Sequence, residues 1–419
     1  MNNELQISSR GIKMPESPIR KLAPLAYKAE DEGVKIYRLN IGQPDLPTPQ
    51  KALNALKNVA RRTLEYSPSQ GYKSLRETLV GYYDRYQIKL TPDDIIITCG
   101  GSEAVLFAFM SCLNPGDEII VPEPSYANYM AFAVSAGAVI RTITTTIEEG
   151  FCLPKVERIE ELINERTKAI LICNPNNPTG YLYSQKEMNQ IRDLVKKHNL
   201  YLFSDEVYRE FIYTGSPYIS AMHLENIEQN VVLIDSVSKR YSECGIRIGA
   251  LITKNEALRK TVMKFCQARL SPPLIGQIVA EASIEGTETY SRDVYEEYLE
   301  RRKTLIDGVN RIPGCYTPLP MGAFYTVAKL PVDDAERFCA WCLSEFRYKD
   351  EKTATLTPSG RNPDVVAESI MMAPAQGFYT TPELGKDQVR LAYVLCKEDI
   401  QRALMILEKA LECYHGLKE

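Results

Sequence analysis

Short apolar runs recur through the middle of the chain. Each is cut off by a proline, a glycine or a polar cluster, and stretches with helical spacing lie between them. Asp94-Ile95-Ile96-Ile97-Thr98 reads as a strand running into Cys99-Gly100-Gly101-Ser102, after which Glu103 to Leu113 reads as a helix. Further strands are predicted at Glu118 to Val121, closed by Pro122, at Ala138 to Ile143, at Thr167 to Cys173, at Leu200 to Phe203, at Val231 to Ile234 and at Ile248 to Ile252. Strands this apolar are buried on both faces, as in a parallel sheet covered by helices. The predicted class is α/β, a large domain with a mostly parallel seven-stranded sheet between helices. Polar residues and glycines gather just after the strands, at the carboxyl edge where open α/β sheets bind ligands.

From about Tyr290 to Asn310 the pattern is a long charged helix, which reads as a bridge to a smaller α+β domain. The clearest strands of that domain are Gly322 to Val327 and Val389 to Tyr393, and Glu398 to Cys413 is a terminal helix. The predicted division is an N-terminal segment 1–45 packing with the small domain, a large domain 46–300 and a small domain 301–419. The polar stretch from Arg347 to Pro363 reads as a surface excursion. A length of 419 residues suits two domains rather than one core.

Charge and composition narrow the function classes. A net charge of −4, with basic residues spread along the chain, points away from nucleic acid and anionic membranes. No apolar run approaches the ~20 residues a membrane helix needs, and Met1 to Lys13 lacks the apolar core of a secretion signal. The eleven cysteines lie in apolar or scattered settings. Cys339 and Cys342, in Cys-Ala-Trp-Cys, sit in a helical pattern with no second pair and no neighbouring histidine. Reduced, buried cysteines and a cytoplasmic location follow. With three histidines in the chain, no metal site is expected.

The chemistry gathers at the predicted strand ends. Ser236-Val237-Ser238-Lys239 follows a strand, and Arg247 comes eight residues after the lysine. Two hydroxyls and an arginine suit a phosphate, because a guanidinium meets phosphate oxygens with paired donors. A lysine beside a phosphate site can hold an aldehyde cofactor as an imine; a lysine in a loop is otherwise simply solvated. Asp205 ends an apolar strand, where it could cap a helix or keep a pyridine nitrogen protonated. Tyr208 reaches the same edge. Gly100-Gly101-Ser102 opens a helix, where free N–H groups bind anions.

Asn177-Pro178-Thr179-Gly180, Ser204-Asp205-Glu206-Val207-Tyr208, Ser236-Val237-Ser238-Lys239 and Gly245-Ile246-Arg247-Ile248-Gly249 occur in that order and spacing. Together they closely resemble the class I/II aminotransferases, members of fold type I of the pyridoxal phosphate enzymes, with the aspartate aminotransferases of prokaryotes nearest. The resemblance runs from about Arg38 to the C-terminus. It implies pyridoxal 5'-phosphate held as an internal aldimine on Lys239, which then moves the proton between the substrate α-carbon and the cofactor. It implies Asp205 at the pyridine nitrogen, and Asn177 and Tyr208 at the ring hydroxyl. Gly101, Ser102, Ser236, Ser238 and Arg247 match the phosphate contacts. Tyr126, in Glu123-Pro124-Ser125-Tyr126, matches an aromatic residue stacked on the ring; its other reading is a core aromatic. Tyr66, in Glu65-Tyr66-Ser67-Pro68, matches a residue that crosses a homodimer to the neighbouring subunit's phosphate. Gly42 matches a backbone contact to substrate, and Arg390 matches the arginine that grips the substrate α-carboxylate.

The implied reaction moves an amino group from an L-amino acid, with aspartate first, to 2-oxoglutarate. Aromatic amino acids, alanine and a carbon–sulfur β-lyase reaction are the alternatives on the same scaffold. Two devices that relatives use for a distal carboxylate are missing: Cys266 stands where one has an arginine, and Ser102 where another has a lysine. Arg269, in the corresponding cross-subunit region, is the expected replacement, with Arg20 of the N-terminal segment as the second candidate. A DNA-binding regulator finds no room before the resemblance, and no Gly-x-Gly-x-x-Gly turn supports a dinucleotide fold.

Overall fold

The computed structural model describes residues 5–215, 217–285, 288–349 and 366–416. Most of the polar stretch expected as a surface excursion therefore lies outside the described residues. In chain order the strands are β1 (Lys35–Arg38), β2 (Ile95–Thr98), β3 (Glu118–Glu123), β4 (Val139–Thr144), β5 (Thr167–Cys173), β6 (Tyr201–Asp205), β7 (Val231–Ser236), β8 (Gly249–Ile252), β9 (Tyr325–Lys329), β10 (Glu368–Met371), β11 (Ala373–Pro374) and β12 (Gln388–Ala392). Seven of them form one sheet in the order β2-β8-β7-β6-β5-β3-β4. All neighbours are parallel except β8, which is antiparallel to both β2 and β7. The expected α/β class with a mostly parallel seven-stranded sheet is what the molecule has.

Alternation along these strands explains why they must lie between two layers. Ile96, Val121, Leu171, Phe203 and Ile234 point into one core, where Phe107 and Phe109 of the helix Gly101–Cys112 pack on them. Their chain neighbours point the other way. Ile120, Ile170 and Leu202 meet the helix Gln185–His198, and Ile95, Ile97 and Leu233 meet the helices Lys73–Asp84 and Leu274–Ile284. Successive strand side chains face opposite sides of a sheet, so an uninterrupted apolar run is stable only when both sides are covered. Each fully buried isoleucine contributes roughly 1.5–3 kcal/mol over an exposed one.

The chain differs from expectation at Pro122. It does not close its strand, because β3 continues to Glu123 and Pro122 pairs in register with Ile143 of β4. On the other side the register with β5 ends at Ile120, so a residue without an N–H is tolerated there. Three strands carry no apolar run and were not anticipated. Of these, β1 pairs with β10 in parallel, from Lys35 opposite Glu368 to Arg38 opposite Met371. The third, β11, joins β12 and β9 in a small antiparallel sheet that sets Arg390 opposite Ala373 and Val327. The long helix Glu288–Val309 and the terminal helix Lys397–Gly416 fall where the spacing predicts them. Among the described residues, no helix is long and apolar enough to cross a membrane.

Candidate active site

The carboxyl ends of β2, β5, β6 and β7 open on one edge of the sheet, and the small antiparallel sheet stands against it. Between them lies a cavity of about 750 Å3. After β2 the chain turns through Gly100, whose φ of 79° is the left-handed region that only glycine enters freely. A Cβ there would also sit 2.4 Å from the Arg247 guanidinium. Gly101 and Ser102 then begin the helix Gly101–Cys112 at the cavity wall, with its first N–H groups free to receive an anion. Arg247, itself left-handed at φ 56°, lies over this turn and donates from Nη1 to the Cys244 carbonyl at 3.0 Å.

Ser236 ends β7. Its Oγ donates to Ser238 Oγ at 2.8 Å and receives the Ser238 N–H at 3.2 Å, which starts the short helix Val237–Arg240. That turn carries Lys239, half-buried, whose Nζ donates to the Gly42 carbonyl at 2.9 Å and lies 3.9 Å from Cys244 Sγ. Gly42 has no space for a side chain, since a Cβ would come within 1.7 Å of the Tyr325 hydroxyl.

Asp205 ends β6, buried, with its Oδ2 accepting from the Tyr129 hydroxyl at 2.6 Å. Among the described residues its other oxygen has only a long contact, 3.4 Å, from the Val207 N–H. Burial is the main cause that lifts this carboxyl from its ordinary 3.8 to about 6. On the facing wall a chain of polar groups runs through the cavity. Arg390 Nη1 donates to Asn177 Oδ1 at 3.1 Å, Asn177 Nδ2 donates to Tyr208 Oη at 3.3 Å, and the Tyr208 and Tyr325 hydroxyls are 3.1 Å apart. Arg390 is buried to 1% exposure, donates also to the Asn40 carbonyl, and has no carboxylate partner among the described residues. Its Nε is unpartnered among the described residues, aromatic faces of Tyr325 and Phe378 flank the guanidinium at 4.5 and 5.0 Å, and burial pulls its affinity for the proton below the ordinary value. Tyr126 lines the cavity edge-on to Tyr129, the ring centroids 5.4 Å apart, and its hydroxyl accepts from Asn128 Nδ2 at 2.8 Å.

Gly42, Gly101, Ser102, Tyr126, Asn177, Asp205, Tyr208, Ser236, Ser238, Lys239, Arg247 and Arg390 thus face one space, and Arg20 stands at its mouth. Two expected residues are elsewhere in this chain. Tyr66 is 77% exposed on the outer surface. Arg269 does not line the cavity: it donates to Glu103 Oε2 and to the Ser69 carbonyl, both at 3.0 Å. Two residues were overlooked. Tyr129 lies one helical turn after Tyr126, and that spacing was the available signal. Tyr325 shares β9 with residues read only as strand formers.

The family model described as aminotransferase class I and II matches residues 34–404. The chain belongs to the class I and II aminotransferases. An aspartate aminotransferase of Pyrococcus horikoshii is 29% identical, over 97% of this chain and 97% of its own. One of Thermotoga maritima is 31% identical over 83% of this chain and 90% of its own. Among solved structures, an aspartate aminotransferase of Thermotoga maritima superimposes with a TM-score of 0.84 at 28% identity, covering 97% of this chain and all of that one. An alanine aminotransferase of Pyrococcus furiosus gives 0.85 at 29% identity, with the same coverage. This aminotransferase is accordingly a pyridoxal phosphate-dependent enzyme of fold type I.

The residues at hand suit that cofactor. A carboxyl raised by burial, with an oxygen short of partners, gains from a cationic ring nitrogen beside it. A helix start, two hydroxyls and Arg247 offer donors to a phosphate, and a primary amine lies in the same space.

Proposed function

We propose that Lys239 is the amine that holds pyridoxal phosphate in this cavity, and that the enzyme moves the amino group of L-aspartate to 2-oxoglutarate. The observation that carries this reading is the pairing, in one enclosed space, of the Lys239 amine with the buried and under-partnered Asp205 and Arg390. Gly101, Ser102, Ser236, Ser238 and Arg247 would hold the phosphate, Asp205 the pyridine nitrogen, Asn177 and Tyr208 the ring hydroxyl, and Tyr126 one ring face. When bound, the cofactor supplies an electron sink for negative charge at the substrate α-carbon.

The protein's own groups do the rest. Arg390, with Asn177 and the Gly42 backbone, takes the α-carboxylate and so fixes the direction of the Cα–H bond. Asp205, ionised beside the ring nitrogen, would keep that nitrogen protonated. Lys239, held by the Gly42 carbonyl on a short turn, would be freed as an amine when the substrate amino group takes its place, and would then take the proton from the α-carbon and deliver it to the cofactor carbon beyond the substrate nitrogen.

The enzyme also acts as a homodimer in this reading. Leu64, Tyr66 and Leu270 are exposed at 66, 77 and 52%. They lie together, because Ser69 Oγ donates to the Leu270 carbonyl at 2.6 Å and Ser67 Oγ to the Pro272 carbonyl at 3.1 Å. Such a patch supports a second copy covering it, with Tyr66 reaching the partner's phosphate and Arg269 lying at the base of that interface. The divisions in this reading are a segment 1–45 packing with the small domain, a large domain 46–300 and a small domain 301–419, with the helix Glu288–Val309 running across the last boundary. Eleven cysteines without a disulfide support a reducing, cytoplasmic setting. A role in amino acid biosynthesis fits the same reading.

The test is a panel of amino donors with 2-oxoglutarate, followed as 2-oxo acid formed. Aspartate is expected to be the best donor. The likeness to an alanine aminotransferase favours alanine as the second reading, and an alanine optimum with weak aspartate turnover would replace the first.

A further inference from the structure

Behind the cavity wall lies a second set of charges that the reading above does not use. Glu206 follows Asp205 at the end of β6, Asp235 precedes Ser236 in β7, and Arg240 follows Lys239 on the short turn. Asp205, Ser236 and Lys239 line the cavity, and their three neighbours do not. Neighbours on a strand face opposite sides, and on the far side Arg209 joins the group. All four charged side chains are buried.

Arg240 ties this set to the turn. Its Nη2 donates to Asp235 Oδ2 and its Nη1 to the Tyr82 hydroxyl, both at 2.6 Å. The same carboxylate accepts from the Tyr83 hydroxyl and, through Oδ1, from the Ser236 N–H at 2.8 Å. Arg209 reaches Asp235 at 3.5 Å and Glu206 at 3.1 Å. Glu206 accepts in addition from the Ser204 and Ser220 hydroxyls and the Ala221 N–H. Two arginines thus balance two carboxylates, and the balanced set joins the residue next to Lys239 to the residue next to Asp205. Removing one member leaves a buried charge uncompensated.

The charges also act on one another. Burial works against the Asp235 charge, yet the arginines, Arg240 foremost, hold its carboxyl below the ordinary value. Asp235 and Glu206 in turn add to the burial that raises Asp205. Asp205 also faces Tyr129, Cys173 and Tyr208. Lys239 shares its space with Cys244, Arg247, Tyr325 and Arg390. None of these is changed in the variants below.

We propose that Arg240 is a positioning residue for the reaction: clamped to Asp235, it fixes the turn that carries Lys239 relative to Asp205 and cancels the carboxylate charge behind them. This rests on the reading in which Lys239 holds the cofactor. Arg240→Met leaves a net negative charge behind the cavity, which favours a proton on the Lys239 nitrogen that carries the cofactor. Asp235→Asn leaves a net positive charge, which disfavours it. An unbalanced buried charge moves a nearby titration by roughly half a unit to one unit.

The visible absorbance of the holoenzyme is titrated with pH in the wild type, Arg240→Met, Asp235→Asn and the double variant, and kcat is measured for one amino donor. The midpoint is expected to rise by about 0.5–1 unit in Arg240→Met and to fall by a similar amount in Asp235→Asn. In the double variant, which loses one charge of each sign, it should return to within about 0.3 unit of wild type. The lost clamp should lower kcat about 10- to 100-fold in both Arg240 variants. Shifts of the same sign in the two single variants, as general loosening would give, would overturn the assignment. So would unmoved midpoints, a double variant that keeps the Arg240→Met shift, or a kcat within about threefold of wild type in both Arg240 variants. If Arg240→Met does not fold, the fall in Asp235→Asn and its reversal in the double variant decide alone. Lys239→Ala is the control for the reading beneath: a protein that keeps the visible band removes both readings, whereas the failures above remove only the task given to Arg240.

Discussion

Arg390 offers the most demanding prediction. It is buried, carries no carboxylate partner among the described residues, and spends two nitrogens on neutral acceptors, the Asn177 side chain and the Asn40 carbonyl. Arg390→Met removes a charge that burial disfavours, and its aliphatic part still packs between Tyr325 and Phe378. It also leaves two acceptors short of a donor, at roughly 1–3 kcal/mol each. The opposing effects are of similar size, so the stability change is expected to stay within about 2 kcal/mol. Substrate binding has no such offset. The α-carboxylate loses two charge-assisted hydrogen bonds worth roughly 1.5–3 kcal/mol each. The sum, about 3–6 kcal/mol, corresponds to about 10^2- to 10^4-fold in kcat/KM for any amino donor. Arg390→Lys keeps a point charge without the planar fork and should fall between. Half-reaction rates against donor concentration, followed through the absorbance of the bound cofactor, give the kinetic term; denaturant unfolding gives the other. A Met variant within tenfold of wild type in kcat/KM would refute the reasoning, as would a large loss of stability that explained the kinetic defect by itself.

Three further outcomes follow from the same geometry. The Asp205 carboxyl is held at about 6 in the folded cavity against an ordinary 3.8. The folded state thus binds this proton more tightly, and the cofactor-free protein loses about 3 kcal/mol of stability from this group as pH rises from about 4 through about 6. Asp205→Asn abolishes that component; melting curves of both apoproteins between pH 4 and 8 report it as a difference, in which the similarly raised Glu243 cancels, and parallel curves would contradict it. Gly42→Ala drives a Cβ into the Tyr325 ring, which should cost about 1–3 kcal/mol in a denaturant titration and disturb the carbonyl that holds Lys239; an unchanged midpoint would show that the contact relaxes freely. Tyr66→Ala should weaken cofactor retention in dialysis by a few-fold or more while leaving the melting temperature of the apoprotein near wild type, because the side chain is exposed in one subunit; retention equal to wild type would argue against its reach across a dimer.

Legibility in the sequence tracked how local the determining physics was. The seven strands of the large sheet were readable because apolar runs such as Ile95-Ile96-Ile97 are intelligible only between two covering layers. The strands β1, β10 and β11 were not, because Lys35-Ile36-Tyr37-Arg38 has no face pattern and becomes a strand only by pairing with a segment more than three hundred residues away. That Gly101, Ser102, Asp205, Ser236, Ser238 and Lys239 would gather at one edge of the sheet was readable from the order and spacing of their motifs at strand ends, and they line one cavity. Tyr129 was hidden because its role depends on a hydrogen bond to Asp205, 76 positions later. Arg269 looked available because a sequence does not display that Glu103 turns back toward it, capping Cys99 N–H with the same oxygen that holds the guanidinium. Arg20 was readable as the second candidate for a distal carboxylate, and it stands at the mouth of the cavity.

Borohydride reduction of the pyridoxal phosphate-loaded protein, followed by peptide mapping, interrogates the foundation of all this. Reduction fixes the cofactor to whichever amine carries it. The label is expected on the peptide containing Lys239 and on no other lysine peptide, and it should be lost in Lys239→Ala together with the visible absorbance and all transamination. A label on a different lysine, or a Lys239→Ala protein that keeps colour and turnover, would contradict the account.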